Sequence, residues 1–276
     1  MKKFLGLLFI FICCQLFVCA ENICPSTYEL TSGWSKFISR ASGSNFIHKT
    51  MLERYLEKQA QEQIGGKFDI KIESFSARDL KQGKFKSITA KAQDLVLDDV
   101  TISQATLSSI CDYNQLDKTG NSAYRFVTDF PANLTFELSS KDIDKITQTT
   151  EFKKNLKEIN SILRGMLSID SVNFDVSDSR LWYNFVFSTP FSPKKQVVRV
   201  GTNLRLNNGV ISTETVDSSS RPTVLSILNM IDALNFINPL DFSSKILENK
   251  IVNINFQEIY VKDDKVILRA FVNVRK

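Results

Sequence analysis

Apolar and polar residues alternate through residues 84–110, KFKSITAKAQDLVLDDVTISQATLSSI. Ile88, Ala90 and Ala92 alternate with Thr89, Lys91 and Gln93, the period of a strand with one buried face. Leu95 and Leu97 continue the alternation out of phase, which predicts a bulge near Gln93–Asp94. Asp98–Asp99 reads as a turn, with Val100 and Ile102 opening the return strand. NLRLNNGVIS (203–212) and EIYVKDDKVIL (258–268) repeat the unit: two apolar residues at alternate positions, an Asn/Asp pair, a β-branched strand. The irregular spacing of the copies argues against a solenoid and for antiparallel hairpins recurring in one sheet.

Around these hairpins, residues 22–47 read as an irregular lead-in. Leu52, Tyr55, Leu56, Ala60 and Ile64 recur at helical spacing, predicting a helix from His48 to Ile64 that Gly65–Gly66 stops. Phe68, Ile70 and Ile72 mark a first strand. Alternation is clean from 123 to 138, with Pro131 on the polar side, where an edge position or a bulge is expected. Ser139 with Asp142 forms a capping box. A long helix is predicted to follow, with Ile143, Ile146, Phe152, Leu156, Ile159, Leu163 and Met166 on its apolar side. Val172–Val176 pairs through a turn at Asp178–Arg180 with Leu181–Phe187. Pro222 opens a third helix through about Phe236, apolar except for a stripe of Ser226, Asn229 and Asp232. Such a helix lies deep in a core or faces a lipid-like ligand, and it is too short to span a bilayer. Two strands close the chain, with a change of phase between Phe256 and Ile259. One-sided strands point to an antiparallel sheet with one wet face, and no linker divides the chain. The expected fold is α+β, in one domain over 48–276.

Lys2–Lys3 ahead of an apolar run from Phe4 to Val18, ending in Val18-Cys19-Ala20, reads as a secretory signal peptide over residues 1–20; an uncleaved anchor is the alternative. Cleavage leaves 33 basic against 30 acidic residues, a charge of +3, too weak for nucleic-acid binding. It also leaves only Cys24 and Cys111, either one disulfide of an exported protein or two free thiols. The 21 Phe residues fit a roomy apolar interior, or equally an AT-rich coding bias.

No constellation for catalysis stands out. His48 has no local Cys or His partner and reads as an exposed or capping residue, and no Cys/His cluster has zinc spacing. Asp98–Asp99 and Asp263–Asp264 read as turn formers, with a weak Ca²⁺ site as a remote alternative. Asn133-Leu134-Thr135 matches a glycosylation sequon, with chance as the plainer account. Neither metal nor cofactor is expected. Arg78, Lys81, Lys84 and Lys86 form a basic stretch, either simply solvated or in contact with anionic headgroups.

The order of elements, with FSARDLKQGKFKSITAKAQDLVLDDVTISQATLSS, then NLRLNNGVIS, then NPLDFSSKILENKIVNINFQEIYVKDDKVILRA, resembles the LmeA-like phospholipid-binding family over residues 48–274. The resemblance implies an extracytoplasmic, non-enzymatic protein with a fold like the tubular lipid-binding (TULIP-like) proteins, a strongly curved sheet wrapped around a long helix. With about three helices, the chain would then hold or transfer phospholipid in the bacterial cell envelope, in the periplasm or at its membranes. The expected tunnel lining is Ile143, Ile146, Leu163, Met166, Leu228, Ile231 and Leu234. The alternative is an envelope scaffold that binds a protein partner through the apolar 222–236 helix.

Overall fold

The computed structural model describes residues 24, 27–30, 44–97, 100–119, 123–163, 167–190, 192–207, 209–218, 237–240 and 252–275. The fold is α+β and every strand pairing is antiparallel. A six-stranded sheet has the spatial order β1 (Lys67–Glu73), β3 (Ser87–Leu97), β4 (Val100–Ser109), β7 (Phe130–Ser139), β13 (Lys265–Val274), β12 (Val252–Lys262). A four-stranded sheet runs β11 (Val210–Ser218), β10 (Ser192–Asn207), β9 (Arg180–Thr189), β8 (Ser168–Ser177). A third, small sheet joins β2 (Lys84–Phe85), β5 (Asn114–Thr119) and β6 (Ala123–Phe126). The described helices are α1 (Ser44–Ile64), α2 (Ala77–Lys81), α3 (Ser140–Ile146) and α4 (Thr150–Ile162). None of the sheets closes on itself.

The alternation translates directly into burial. Ala105, Phe136, Leu138, Leu268, Ala270 and Phe256 of the large sheet join Phe174, Leu181, Tyr183, Phe185 and Val200 of the four-stranded sheet in one hydrophobic core. Opposite faces carry ion pairs such as Arg269–Glu258 (2.9 Å) and Lys265–Glu137 (2.8 Å). Ile70, Ile72, Leu80, Phe85 and Leu116 form a second, smaller cluster under α1.

All three repeated units are hairpins, each closed by two residues. Asp178–Ser179 and Asp263–Asp264 take left-handed φ values of 51–59°, the conformation that tight hairpins demand and that Asp tolerates. They do not share one sheet, however. The β3–β4 and β12–β13 hairpins belong to the large sheet, and β10–β11 to the four-stranded one. Alternation specifies which face is buried but not which strand lies alongside.

Both phase changes are real, with different causes. At Gln257 the register shifts by one residue between Phe256 and Glu258, a bulge in the ordinary sense. At Asp94 the register does not shift: Gln93 pairs with Gln104 and Leu95 with Ile102. Asp94 instead turns left-handed (φ 52°), so that Ala92 and Leu95 are both buried.

Four expectations need correction. The predicted continuous strand 123–138 is two strands in different sheets, broken at 127–129. Pro131 is buried in an interior strand rather than at an edge. Its carbonyl accepts from Ile110 N (3.1 Å) just past the end of β4, so its missing N–H faces the point where that neighbour runs out. The predicted long helix is α3 and α4. Between them the hydroxyls of Thr147 and Thr149 donate to the carbonyls of Asp144 (2.6 Å) and Ile146 (2.7 Å), and Thr149 caps α4. The first helix starts at Ser44, four residues before His48; Phe46 and Ile47 in its opening turn are exposed, so no apolar periodicity marks that start. The helix expected over 222–236 and the turn Asp98–Asp99 lie outside the described residues.

Helix side chains finish the sheet edges. On edge strand β1, Ile70 N donates to Glu57 Oε1 (2.9 Å) and Ile72 N to Glu53 Oε1 (2.8 Å), both from α1. On edge strand β8, Asn160 bonds both the N–H and the carbonyl of Ile169, while Phe174 N donates to Asp144 (2.8 Å) and Val176 N to Ser140 (3.0 Å). Edge donors that would otherwise invite another strand are occupied.

Candidate functional site

The interior between the two larger sheets is the first candidate. The predicted capping box forms, Ser139 N donating to Asp142 Oδ2 at 2.8 Å and Asp142 N to Ser139 Oγ at 3.3 Å. Ser103 Oγ donates to the same carboxylate (2.8 Å) and ties α3 to β4. With α3 fixed this way, Ile143 and Ile146 point inward and are wholly buried. Leu163, just after α4, is buried in the same core. Three of the seven predicted lining residues therefore come together; Met166, Leu228, Ile231 and Leu234 lie outside the described residues.

Facing them is a row of aromatic rings that sequence reasoning did not select: Phe174–Tyr183 (4.8 Å between centroids), Tyr183–Phe185 (5.9 Å) and Phe185–Phe187 (5.6 Å). Their alternation along β9 was the available signal. Burial pushes the Tyr183 hydroxyl far above its ordinary ionisation range. The hydroxyl forms no hydrogen bond of full geometry, and Thr213 is close enough only to temper that push.

The basic stretch falls elsewhere, and the structure divides it. Lys84 Nζ donates to Glu29 O (2.9 Å) and lies 5.3 Å from the Tyr28 ring centre, while Lys86 pairs with Glu73 (3.4 Å). Arg78 and Lys81 are exposed on α2, one turn apart. Lys81 borders a groove of about 530 Å³ between α1, α2 and β5, lined by Met51, Leu52, Tyr55, Leu80 and Leu116. His48 also borders it, half-buried rather than exposed. A smaller hollow of about 350 Å³ at the Gln257 bulge is polar, and its Glu258 and Arg269 neutralise each other.

Cys24 and Cys111 form the disulfide, S–S 2.15 Å with Cα atoms 5.4 Å apart. It fastens residues 27–30 across the small sheet. The Tyr28 hydroxyl is shared between the carbonyls of Phe85 (2.9 Å) and Asn114 (2.8 Å), and burial pushes its pKa up to about 12. Among the described residues no three His, Cys, Asp or Glu side chains converge as metal ligands, and no helix is long and apolar enough to cross a membrane.

No family model, curated protein or solved structure matches the chain.

Proposed function

We propose that the chain is an extracytoplasmic, non-enzymatic phospholipid-binding protein that holds or transfers lipid in the bacterial cell envelope. Its six- and four-stranded sheets together would supply the curved antiparallel layer of a TULIP-like fold, wrapped around the helical segment 140–163. The acyl chains would occupy an apolar tunnel in the space that the inward faces of the two sheets share with α3 and α4.

The observation that carries this reading is the character of that interior. Two open sheets turn only apolar and aromatic side chains, with a few buried hydroxyls, toward α3 and α4. Ser140, Asp144 and Asn160 bind the edge of β8, Asp142 completes the cap of α3, and Glu151, Lys153, Lys154, Lys157 and Glu158 of α4 are exposed to solvent. Energetics set the requirement. At about 0.8 kcal/mol per buried CH₂, taking two chains of about 16 carbons out of a bilayer forfeits on the order of 25 kcal/mol. A carrier must therefore enclose most of both chains, which calls for an interior rather than a surface groove.

Native mass spectrometry of protein purified from envelope-bearing cells tests the reading. The expected result is a phospholipid-sized adduct that organic extraction removes. Absence of any adduct, together with no movement of labelled phospholipid between vesicles, would contradict it.

A further inference from the structure

The opening turns of α1 present large apolar side chains to solvent: Phe46 is 71% exposed, Ile47 59% and Met51 66%. Seven large apolar residues among those described are exposed, and three of them fall within six residues of one helix. Ile47 and Met51, four apart, share a flank, and Met51 continues into the groove that Lys81 borders. Ile47 and Met51, with Phe46 beside them in sequence, thus leave an exposed apolar surface at the start of α1 of the kind that marks an interaction site.

Charge indicates which partner. Glu53 and Glu57, the carboxylates of the same stretch of α1, are turned away to cap Ile72 and Ile70 of β1. Asp79 of α2 is fully buried and bonded to Ser76. Arg78 and Lys81 make no ion pair among the described residues, and Asp117 is the acidic side chain that borders the groove. Lys49 leans on Glu53 at 3.7 Å. Apolar side chains flanked by Lys81 on the groove and by the exposed Arg78 one turn away on α2, with Glu53, Glu57 and Asp79 engaged elsewhere and Asp117 as the opposing charge, match an anionic bilayer surface.

We propose that this face docks on an anionic membrane, with Phe46, Ile47 and Met51 entering the headgroup layer while Arg78 and Lys81 meet its phosphates. The inference does not depend on cargo in the interior, since none of the three apolar residues belongs to the core between the sheets.

The test is co-sedimentation of the full chain with vesicles of phosphatidylcholine alone, or with about 30% phosphatidylglycerol, where binding about tenfold stronger to the anionic vesicles and weakened by salt is expected. Replacing Ile47 and Met51 together by Asp should lower that binding about tenfold or more, with the unfolding temperature unchanged because both sites are exposed. Arg78→Gln with Lys81→Gln should remove most of the preference for anionic vesicles. Equal binding to both vesicle types, or undiminished binding by the Asp pair, overturns the proposal. Bound lipid measured on the same samples separates the two readings: a chain that carries lipid but ignores vesicles overturns the docking surface alone.

Discussion

Gly83 illustrates how a single residue holds a site wall in place. Its φ is +74°, and a Cβ there would stand 1.9 Å from the carbonyl oxygen of Leu116, a backbone atom that cannot swing away. Leu116 N also donates to Gly83 O at 2.9 Å, so the two backbones are pinned together beneath the groove. Gly83→Ala is expected to lower stability by about 2 kcal/mol or more in chemical denaturation. Gly209, equally left-handed (φ +80°) but in open space, should lose only about 1 kcal/mol on the same change. Comparable losses at both positions would contradict the account. Neither difference is legible in sequence, where both glycines follow a polar residue; the distinction lies in a backbone 33 residues away.

Tyr28 gives a pH dependence with a definite sign. Its folded pKa of about 12 lies above the ordinary value of 10.0, so the folded protein holds the phenolic proton more tightly than the unfolded chain does. The stabilising contribution is complete below pH 10 and is lost as the pH rises toward 12. Stability should therefore fall across that window in the parent and fall less in Tyr28→Phe. Identical alkaline profiles for the two would place Tyr28 outside the fastening of residues 27–30.

At the scale of elements, polar side chains decide where helices stop and where sheets end. Glu53 and Glu57 look in sequence like ordinary solvated residues of an amphipathic helix, yet they bind the edge of β1. Converting both to Ala should cost about 2–4 kcal/mol, since each charged hydrogen bond to a backbone N–H is worth about 1.5–3 kcal/mol before solvent replaces it. A loss below about 0.5 kcal/mol in urea unfolding would mean that water caps the edge as well as the glutamates do. The disulfide closes a separation of 87 residues, and Cys24→Ser should lower stability by about 4 kcal/mol in the loop-entropy model. A much smaller loss would mean that the Tyr28 and Lys84 contacts fasten the segment by themselves.

What was legible at this scale follows the same logic. Hairpins, the capping box at Ser139 and the Gln257 bulge each depend on residues within a few positions of one another, so local pattern suffices. The break between α3 and α4 was also local, written in the hydroxyls of Thr147 and Thr149, but an apolar stripe running through both helices concealed it. β6 turns back on β5 just before it, whereas β7 pairs with β4 and with the distant β13, and alternation continued straight across their boundary.

For the whole molecule, the inward faces were readable and their partners were not. Alternation placed Leu181, Tyr183, Phe185 and Phe187 on one side of β9, but nothing in it indicated that this side would face a second sheet across α3. The candidate site shares that limit. Ile143, Ile146 and Leu163 meet in the interior although two helices, not the one their spacing suggests, carry them there, whereas the basic stretch splits because Glu29, Tyr28 and Glu73 claim Lys84 and Lys86. Phe46 and Ile47 precede the helix that periodicity delimits, and Met51 lies off its apolar stripe of Leu52, Tyr55 and Leu56, so the pattern marked none of the three. The proposed cargo space and the proposed docking face thus lie in different parts of the fold, the first between the sheets and the second on α1 and α2.

Photo-crosslinking separates them most directly. A phospholipid carrying a photoactivatable group near the end of an acyl chain is incubated with the full chain, irradiated and traced to peptides by mass spectrometry. Label on the segment 140–163 and on the inward residues of β9 is the predicted result. Label confined to α1 and its groove, with the interior untouched, would contradict the claim that lipid chains are held between the two sheets.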